Sequence, residues 1–155
     1  MPSTNITANT AEPANPALLL ENQLCFALYS TSLTMTKLYK SLLAAMGLTY
    51  PQYLVMLALW EQDDVSVSSL GERLFLDSGT LTPLLKRMEA AGLLVRTRAK
   101  DDERRVQIAL TPAGQQLKGQ AGSVSACVVS AAHCPVSELM TLTRQVQALR
   151  SQLAK

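Results

Sequence analysis

The chain has 155 residues, 14 Lys plus Arg against 12 Asp plus Glu, a net charge of +2 and 48% hydrophobic residues. That length fits one domain, its aliphatic, charge-poor composition favours helices packed on helices, and a near-neutral total charge gives no whole-molecule signature of nucleic-acid binding. No run reaches the roughly 20 apolar residues of a membrane span, and three cysteines without zinc spacing predict neither a disulfide framework nor a metal site.

Residues 1–15 lack basic charge and an apolar run, so they read as a disordered polar tail rather than a targeting signal. The expected compartment is the cytoplasm, where thiols stay reduced. A long helix is predicted from Leu18 to Met46, with Pro16 near its start and Gly47 after its end. Tyr50–Gln62 is a second helix, with Pro51 in its first turn and Leu54, Val55, Leu57 and Leu59 expected in the core. Asp63 and Asp64 form a polar break.

Ser66 caps a third helix running to about Phe75, with Leu70 and Leu74 inward. Leu76, Asp77 and Ser78 make a turn. In the fourth helix Leu81, Leu84, Leu85 and Met88 form an i, i+3, i+4, i+7 stripe, and Gly92 ends it. Pro83 is expected near the N-terminus of this helix, where its missing N–H does no harm. Leu93–Lys100 and Arg105–Leu110 are strand-like and are joined by the turn 101–104. Thr111–Pro112 opens a fifth helix reaching about His133. A sixth begins at Pro135 or Ser137, with Leu139, Leu142, Val146, Leu149 and Leu153 inward. The chain is therefore mainly α with a small β-wing.

Helix, tight turn, helix and basic ribbon in that order make a winged helix-turn-helix, and seven of the fourteen Lys and Arg residues lie between Lys86 and Arg105. The major groove of B-DNA admits one α-helix. Opposite the apolar stripe, Ser78, Thr80, Thr82, Pro83, Lys86 and Arg87 offer small, polar and basic groups suited to a groove. Arg96, Arg98, Lys100, Arg104 and Arg105 place an arginine-rich ribbon beside it, and arginine at a ribbon tip suits a narrow minor groove. Asp102 is expected to pair with Arg104 and orient its guanidinium. The competing reading is an ordinary amphipathic helix with a solvated hairpin.

The runs LTYPQYLVMLALWE, LGERLFLDSGTLTPLLKRMEAAGLL and DDERRVQIALTPAG resemble the winged-helix MarR family. NQLCFALYSTSLTMTKLY narrows the resemblance to its organic-hydroperoxide-sensing repressors, the OhrR-like branch. It covers residues 18–155. It implies a dimeric six-helix architecture, with 16–47 and 111–155 as dimerisation helices and 50–110 as the reading lobe. It also implies a homodimer on a pseudo-palindromic DNA operator, with no cofactor and no enzymatic activity.

The resemblance makes Cys25 the sensing thiol and carries its hydrogen-bonding partners to Tyr39 and Tyr50. On its own terms, a lone Cys in an apolar helix is most often a small core residue. Fourteen residues of one straight helix span roughly 21 Å, so the donors are expected from a second subunit. The resemblance further implies a resolving thiol on the partner's fifth helix. Cys127 is preferred and Cys134 is the alternative; seven residues apart, both can share one helix face. His133 is expected at a helix end, and Trp60 in the core. Two other functions stay open: a MarR-type repressor released by a phenolic ligand, and a thiol peroxidase, which the absence of a βαβ pattern and a CxxC motif disfavours.

Overall fold

A computed structural model describes residues 15–102 and 104–155. The tail expected over 1–15 lies outside the described residues except for Asn15, and so does Glu103. The contacts separate into two units, Met1–Lys37 and Leu38–Lys155.

The predicted first helix is broken. Two 3₁₀ turns, Pro16–Leu18 and Leu20–Asn22, precede α1 (Leu24–Leu42), and a third, Ala44–Met46, follows it. Side chains compete for the carbonyls at the break. Asn22 Nδ2 donates to the carbonyl of Pro16 at 2.8 Å, and Gln23 Nε2 donates to those of Ala17 and Leu19 at 2.7 and 3.0 Å. Cys25 is thereby left in the first turn of α1 rather than inside a longer helix.

The second unit holds the core. Helix α2 (Tyr50–Glu61) opens on a capping box: Thr49 Oγ1 accepts the Gln52 N–H, and Gln52 Oε1 accepts the Thr49 N–H at 2.9 Å. It buries Tyr53, Val55, Met56, Ala58 and Leu59, whereas Leu54 and Leu57 are only half-buried. A two-residue strand β1 (Val65–Ser66), unseen in the sequence, leads into α3 (Val67–Leu74), whose N-cap is Ser66 as expected. Leu70 is buried and Leu74 half-buried. Helix α4 (Ser78–Ala90) buries all four residues of the predicted stripe, Leu81, Leu84, Leu85 and Met88. The turn between α3 and α4 depends on Gly71, where a Cβ would stand 2.8 Å from the carbonyl oxygen of Leu76.

Strands β2 (Leu94–Arg98) and β3 (Val106–Leu110) form the wing, and the antiparallel sheet has the order β1-β3-β2. Leu94 pairs with Leu110, Arg96 with Ile108, and Arg98 with Val106. Leu94 and Ile108 are buried against the helices. Asp63 closes the joint before β1: its Oδ1 accepts the Leu110 N–H at 2.9 Å, and its Oδ2 accepts Gln115 Nε2 at 3.2 Å. The expected fifth helix is two segments, α5 (Pro112–Gln116) and α6 (Lys118–Ala132), joined through Leu117 at φ −60°, ψ −24°. Helix α7 (Val136–Leu153) closes the chain.

The inward stripe expected on α7 is not covered within this chain. Leu142, Val146 and Leu153 are exposed, and α7 buries no residue. Helix α1 also buries none. Among the described residues, no helix is long and apolar enough to cross a membrane.

Candidate nucleic-acid interface and thiol positions

The face of α4 opposite its leucines is built from the N-terminus upward. Asp77 is the N-cap: its Oδ1 accepts the Thr80 N–H at 2.8 Å, and its Oδ2 accepts the Thr80 hydroxyl at 3.1 Å. Those bonds hold the Asp77 carboxyl below the ordinary carboxylate range. Ser78, Thr80, Pro83, Lys86 and Arg87 are exposed on this face, and Thr82 is half-covered. Pro83 is the sixth residue of the helix, not one of its first four, so the Gly79 carbonyl has no amide partner one turn on.

At the wing, Asp102 does not orient the Arg104 guanidinium. Its Oδ1 accepts the main-chain N–H of Arg104 at 3.0 Å, and its carbonyl accepts the Arg105 N–H at 2.9 Å, so Asp102 shapes the turn. At this turn the guanidinium that finds a carboxylate belongs to Arg105, on Asp101 at 3.3 Å. None of the ion pairs among the described residues uses Lys86, Arg87 or Arg104.

Arg96 has a partner that sequence reasoning missed. Glu89, in the last turn of α4, accepts the Arg96 main-chain N–H on Oε1 at 3.0 Å and its Nε–H on Oε2 at 2.8 Å. That guanidinium holds the Glu89 carboxyl below its usual range. A cleft of about 260 Å³ between α3, α4 and the wing is lined by Ser68, Ser78, Thr82, Arg96 and Arg104. Asp77 was legible as a turn residue but not as the cap. Glu89 carried no local signal, because its partner lies seven positions on, across a turn.

Within the same unit, the two expected thiolate partners come together. The rings of Tyr39 and Tyr50 stand 4.5 Å apart, Tyr53 is 5.9 Å from Tyr39, and Trp60 meets Tyr53 edge-on at 6.3 Å. Burial pushes all three phenols up; neighbouring phenols add to this at Tyr39 and Tyr53. Tyr39, Tyr53 and Trp60 line a cleft of about 460 Å³ with Leu57, Lys118 and Ser125.

Cys25 and Cys127 are exposed and Cys134 is half-covered, so none of the three is a core residue of this chain. Cys127 lies within α6, but that helix ends at Ala132 and the backbone turns left-handed at His133, φ 49°. Cys134 therefore does not share a helix face with Cys127. His133 is the helix-end residue it was expected to be. In α7, Arg150 reaches over the ring of Phe75, 4.1 Å from its centroid; Phe75 is the left-handed residue that ends α3.

Residues 37–120 match the family described as Transcriptional regulator SarA/Rot. Over 110 residues the chain is 54% identical to the organic hydroperoxide resistance transcriptional regulator of Bacillus subtilis (strain 168), covering 71% of this chain and 75% of that protein. The structure of reduced AbfR bound to DNA is 36% identical, with a TM-score of 0.74 over 88% of this chain and 95% of that one. AbfR comes from Staphylococcus epidermidis. Its disulfide form is similar at 38% identity, with a TM-score of 0.61 over 84% of this chain and 91% of that one.

Proposed function

This chain belongs to the SarA/Rot family of transcriptional regulators, with the winged-helix MarR fold its sequence resembles, and from that premise we propose that it is a DNA-binding repressor switched by oxidation of Cys25. The named relatives are regulators, and the thiol-peroxidase reading has no support among them.

In this reading α4 enters the major groove with Ser78, Thr80, Thr82, Pro83, Lys86 and Arg87, and the wing brings Arg104 to the adjacent minor groove. Residues 50–110 form the reading lobe. Residues 16–47 and 111–155 pair with those of a second copy. The apolar residues left uncovered on α1 and α7, such as Phe26, Leu28, Leu142 and Val146, support that pairing. Two-fold symmetry then calls for a pseudo-palindromic operator with half-sites about 10 base pairs apart.

The observation that carries the redox reading is the meeting of Tyr39 and Tyr50, whose rings stand 4.5 Å apart and whose phenols keep their protons, a donor pair suited to the Cys25 thiolate. The thiolate sulfur attacks one oxygen of an organic hydroperoxide. The O–O bond breaks, an alcohol leaves, and the sulfur becomes a sulfenic acid. A second thiol, Cys127 of the other subunit by preference and Cys134 otherwise, displaces water to form a disulfide. The apolar side chains of Leu24, Phe26 and Leu28, neighbours of Cys25 in sequence, favour organic over hydrogen peroxide by hydrophobic contact. Tyr39 and Tyr50 act as hydrogen-bond donors to the thiolate of the opposite subunit.

A near-complete switch, from 1:99 to 99:1, needs about 5.5 kcal/mol of bias, which a covalent link between subunits can supply. The test is a gel shift with reduced and cumene hydroperoxide-treated protein. Release on treatment, absent in Cys25→Ser, supports the reading; unchanged binding by fully oxidised protein overturns it.

The aromatic cleft at Tyr39, Tyr53 and Trp60 favours one second reading, release by a phenolic ligand. There Cys25→Ser leaves the response intact.

A further inference from the structure

We propose that Glu89 is the positioning residue of the wing: gripping Arg96 by main chain and side chain at once, it sets the angle of the ribbon against α4, and Arg96 serves this grip rather than a phosphate. The inference rests on the reading above that α4 and the wing share one DNA site.

The sheet order leaves β2 at an edge. Ala99 donates to the carbonyl of Arg105 at 2.8 Å and Thr111 to that of Leu93 at 3.1 Å. Residues 93 and 99 are thus turned toward β3, and the alternate N–H groups between them, that of Arg96 included, point away from the sheet. Such an edge N–H ordinarily goes to water. Here it goes to a carboxylate oxygen, and the other oxygen of the same group holds the side chain of the same residue.

Two charge-assisted bonds from one carboxylate to one residue fix direction as well as distance. The anchor is rigid at both ends, because Met88 beside Glu89 and Ile108 across from Arg96 are each 0% exposed. The other ion pairs differ. The Arg73–Glu61 side chains are 40% and 69% exposed and those of Arg105–Asp101 are 50% and 73%, against 25% and 36% for Arg96–Glu89.

The grip sits at the base of a lever. From Arg96 the ribbon runs about five residues outward, roughly 17 Å at 3.3 Å per residue. A rotation of roughly 10° at the base moves the tip about 3 Å, half of a minor groove about 6 Å wide. Arg104 reads that groove only if the base is held.

The test uses the full-length protein and a duplex that the wild type selects from a random-sequence pool, in two versions, with A·T-rich and G·C-rich flanks outside the half-sites. Affinity is measured by anisotropy over a range of salt. In Glu89→Gln the amide oxygen can accept only one of the two N–H groups, and its NH₂ faces the Arg96 Nε–H. This variant is expected to lose about tenfold of the preference for A·T flanks, as Arg104→Ala does, with the salt slope unchanged. Arg96→Lys keeps the charge and the main-chain bond but moves its donor one atom beyond the Nε position, so the side-chain half of the grip loses its geometry, and it is expected to match Glu89→Gln.

The inference is overturned if Arg96→Lys binds as the wild type while Arg96→Gln lowers the salt slope by about one per subunit, the mark of a lost phosphate contact. It is equally overturned if Glu89→Gln keeps its flank preference. A wild type that selects no duplex removes the DNA reading itself.

Discussion

The indole N–H of Trp60 donates to the main-chain carbonyl of Gly114 at 3.0 Å, joining the end of α2 to the start of α5 across fifty-four positions of sequence. Trp60 is therefore a half-buried tie rather than the plain core residue its composition suggested. Gly114 is buried, and its own N–H is taken by Thr111 Oγ1 at 3.1 Å. Trp60→Phe keeps the packing and leaves that carbonyl unpaired, a loss of about 1 kcal/mol. Gly114→Ala costs more, because its Cβ would lie 2.1 Å from the carbonyl oxygen of Leu93, and backbone cannot move aside as a side chain can. Overpacking of this kind costs about 1–3 kcal/mol or more. Urea unfolding checks the order; a Gly114→Ala protein as stable as the wild type contradicts it.

The Tyr39, Tyr50 and Tyr53 phenols hold their protons above the ordinary value of 10.0, first because burial disfavours phenolate. The unfolded chain releases these protons near pH 10 while the folded chain retains them. In that window the native state binds more protons, so stability falls as pH rises. The contribution is complete below pH 10 and is lost as pH climbs through the folded values. The urea midpoint should stay level from neutral pH to about 10 and then drop, with a shallower drop in Tyr39→Phe and in Tyr50→Phe. Phenolate absorbance of the native protein should lag that of the unfolded protein. At neutral pH the three groups are hydrogen-bond donors, as a thiolate partner must be.

Asp77 shows the opposite sign. Its folded carboxyl is held down by the Thr80 N–H and hydroxyl, so its contribution is present above the ordinary carboxylate value and disappears as pH falls through the lower folded one. Asp77→Ala removes the N-cap of the reading helix and should lower the urea midpoint at neutral pH, with the difference from wild type shrinking in acid. Asp77→Asn keeps a capping oxygen and should retain most of the neutral-pH stability without that pH dependence. Because the frayed residues would be Ser78–Leu81, DNA affinity should fall for all sequences alike. If Asp77→Ala binds and melts as the wild type does, the cap is not what orders the groove-facing turn.

What the sequence made legible was periodic or local. The Leu81, Leu84, Leu85, Met88 stripe, the Ser66 cap and the two long wing strands are visible because each is set by neighbours within a turn or a hairpin. Strand β1 is two residues long and has no period to detect. The break before Leu24 was hidden because Asn22 and Gln23 are adequate helix residues until their amides find the carbonyls of Pro16, Ala17 and Leu19. The stripe on α7 was legible as a stripe but not as exposed, since burial depends on what lies opposite. The joints made by Asp63, Glu89 and Trp60 bring together residues 7 to 54 positions apart, and a single sequence does not pair them. The same holds at the wing, where an acidic cluster beside arginines suggested Asp102 with the Arg104 guanidinium, and the turn took the main-chain N–H instead.

Cys127 is the proposed resolving thiol, preferred to Cys134 for where the two candidates stand. Cys127 is exposed within α6, so a disulfide to it acts on a helix that continues toward the wing through α5 and Thr111, whose hydroxyl donates to the Gly92 carbonyl at 2.6 Å. Cys134 lies beyond the left-handed His133 and is half-covered, so a link there would act on a turn that can yield without moving α6. Oxidation by one equivalent of cumene hydroperoxide per subunit should therefore give a covalent dimer on a non-reducing gel. Its digest should contain a Cys25–Cys127 peptide pair by mass spectrometry. Cys127→Ser should stop the oxidised protein at the sulfenic acid and leave it monomeric on that gel, whereas Cys134→Ser should cross-link and release DNA as the wild type does. A Cys25–Cys134 pair, or a covalent dimer that survives Cys127→Ser, would mean that the switch pulls on the α6–α7 turn, and the path through α5 to the wing would have to be abandoned.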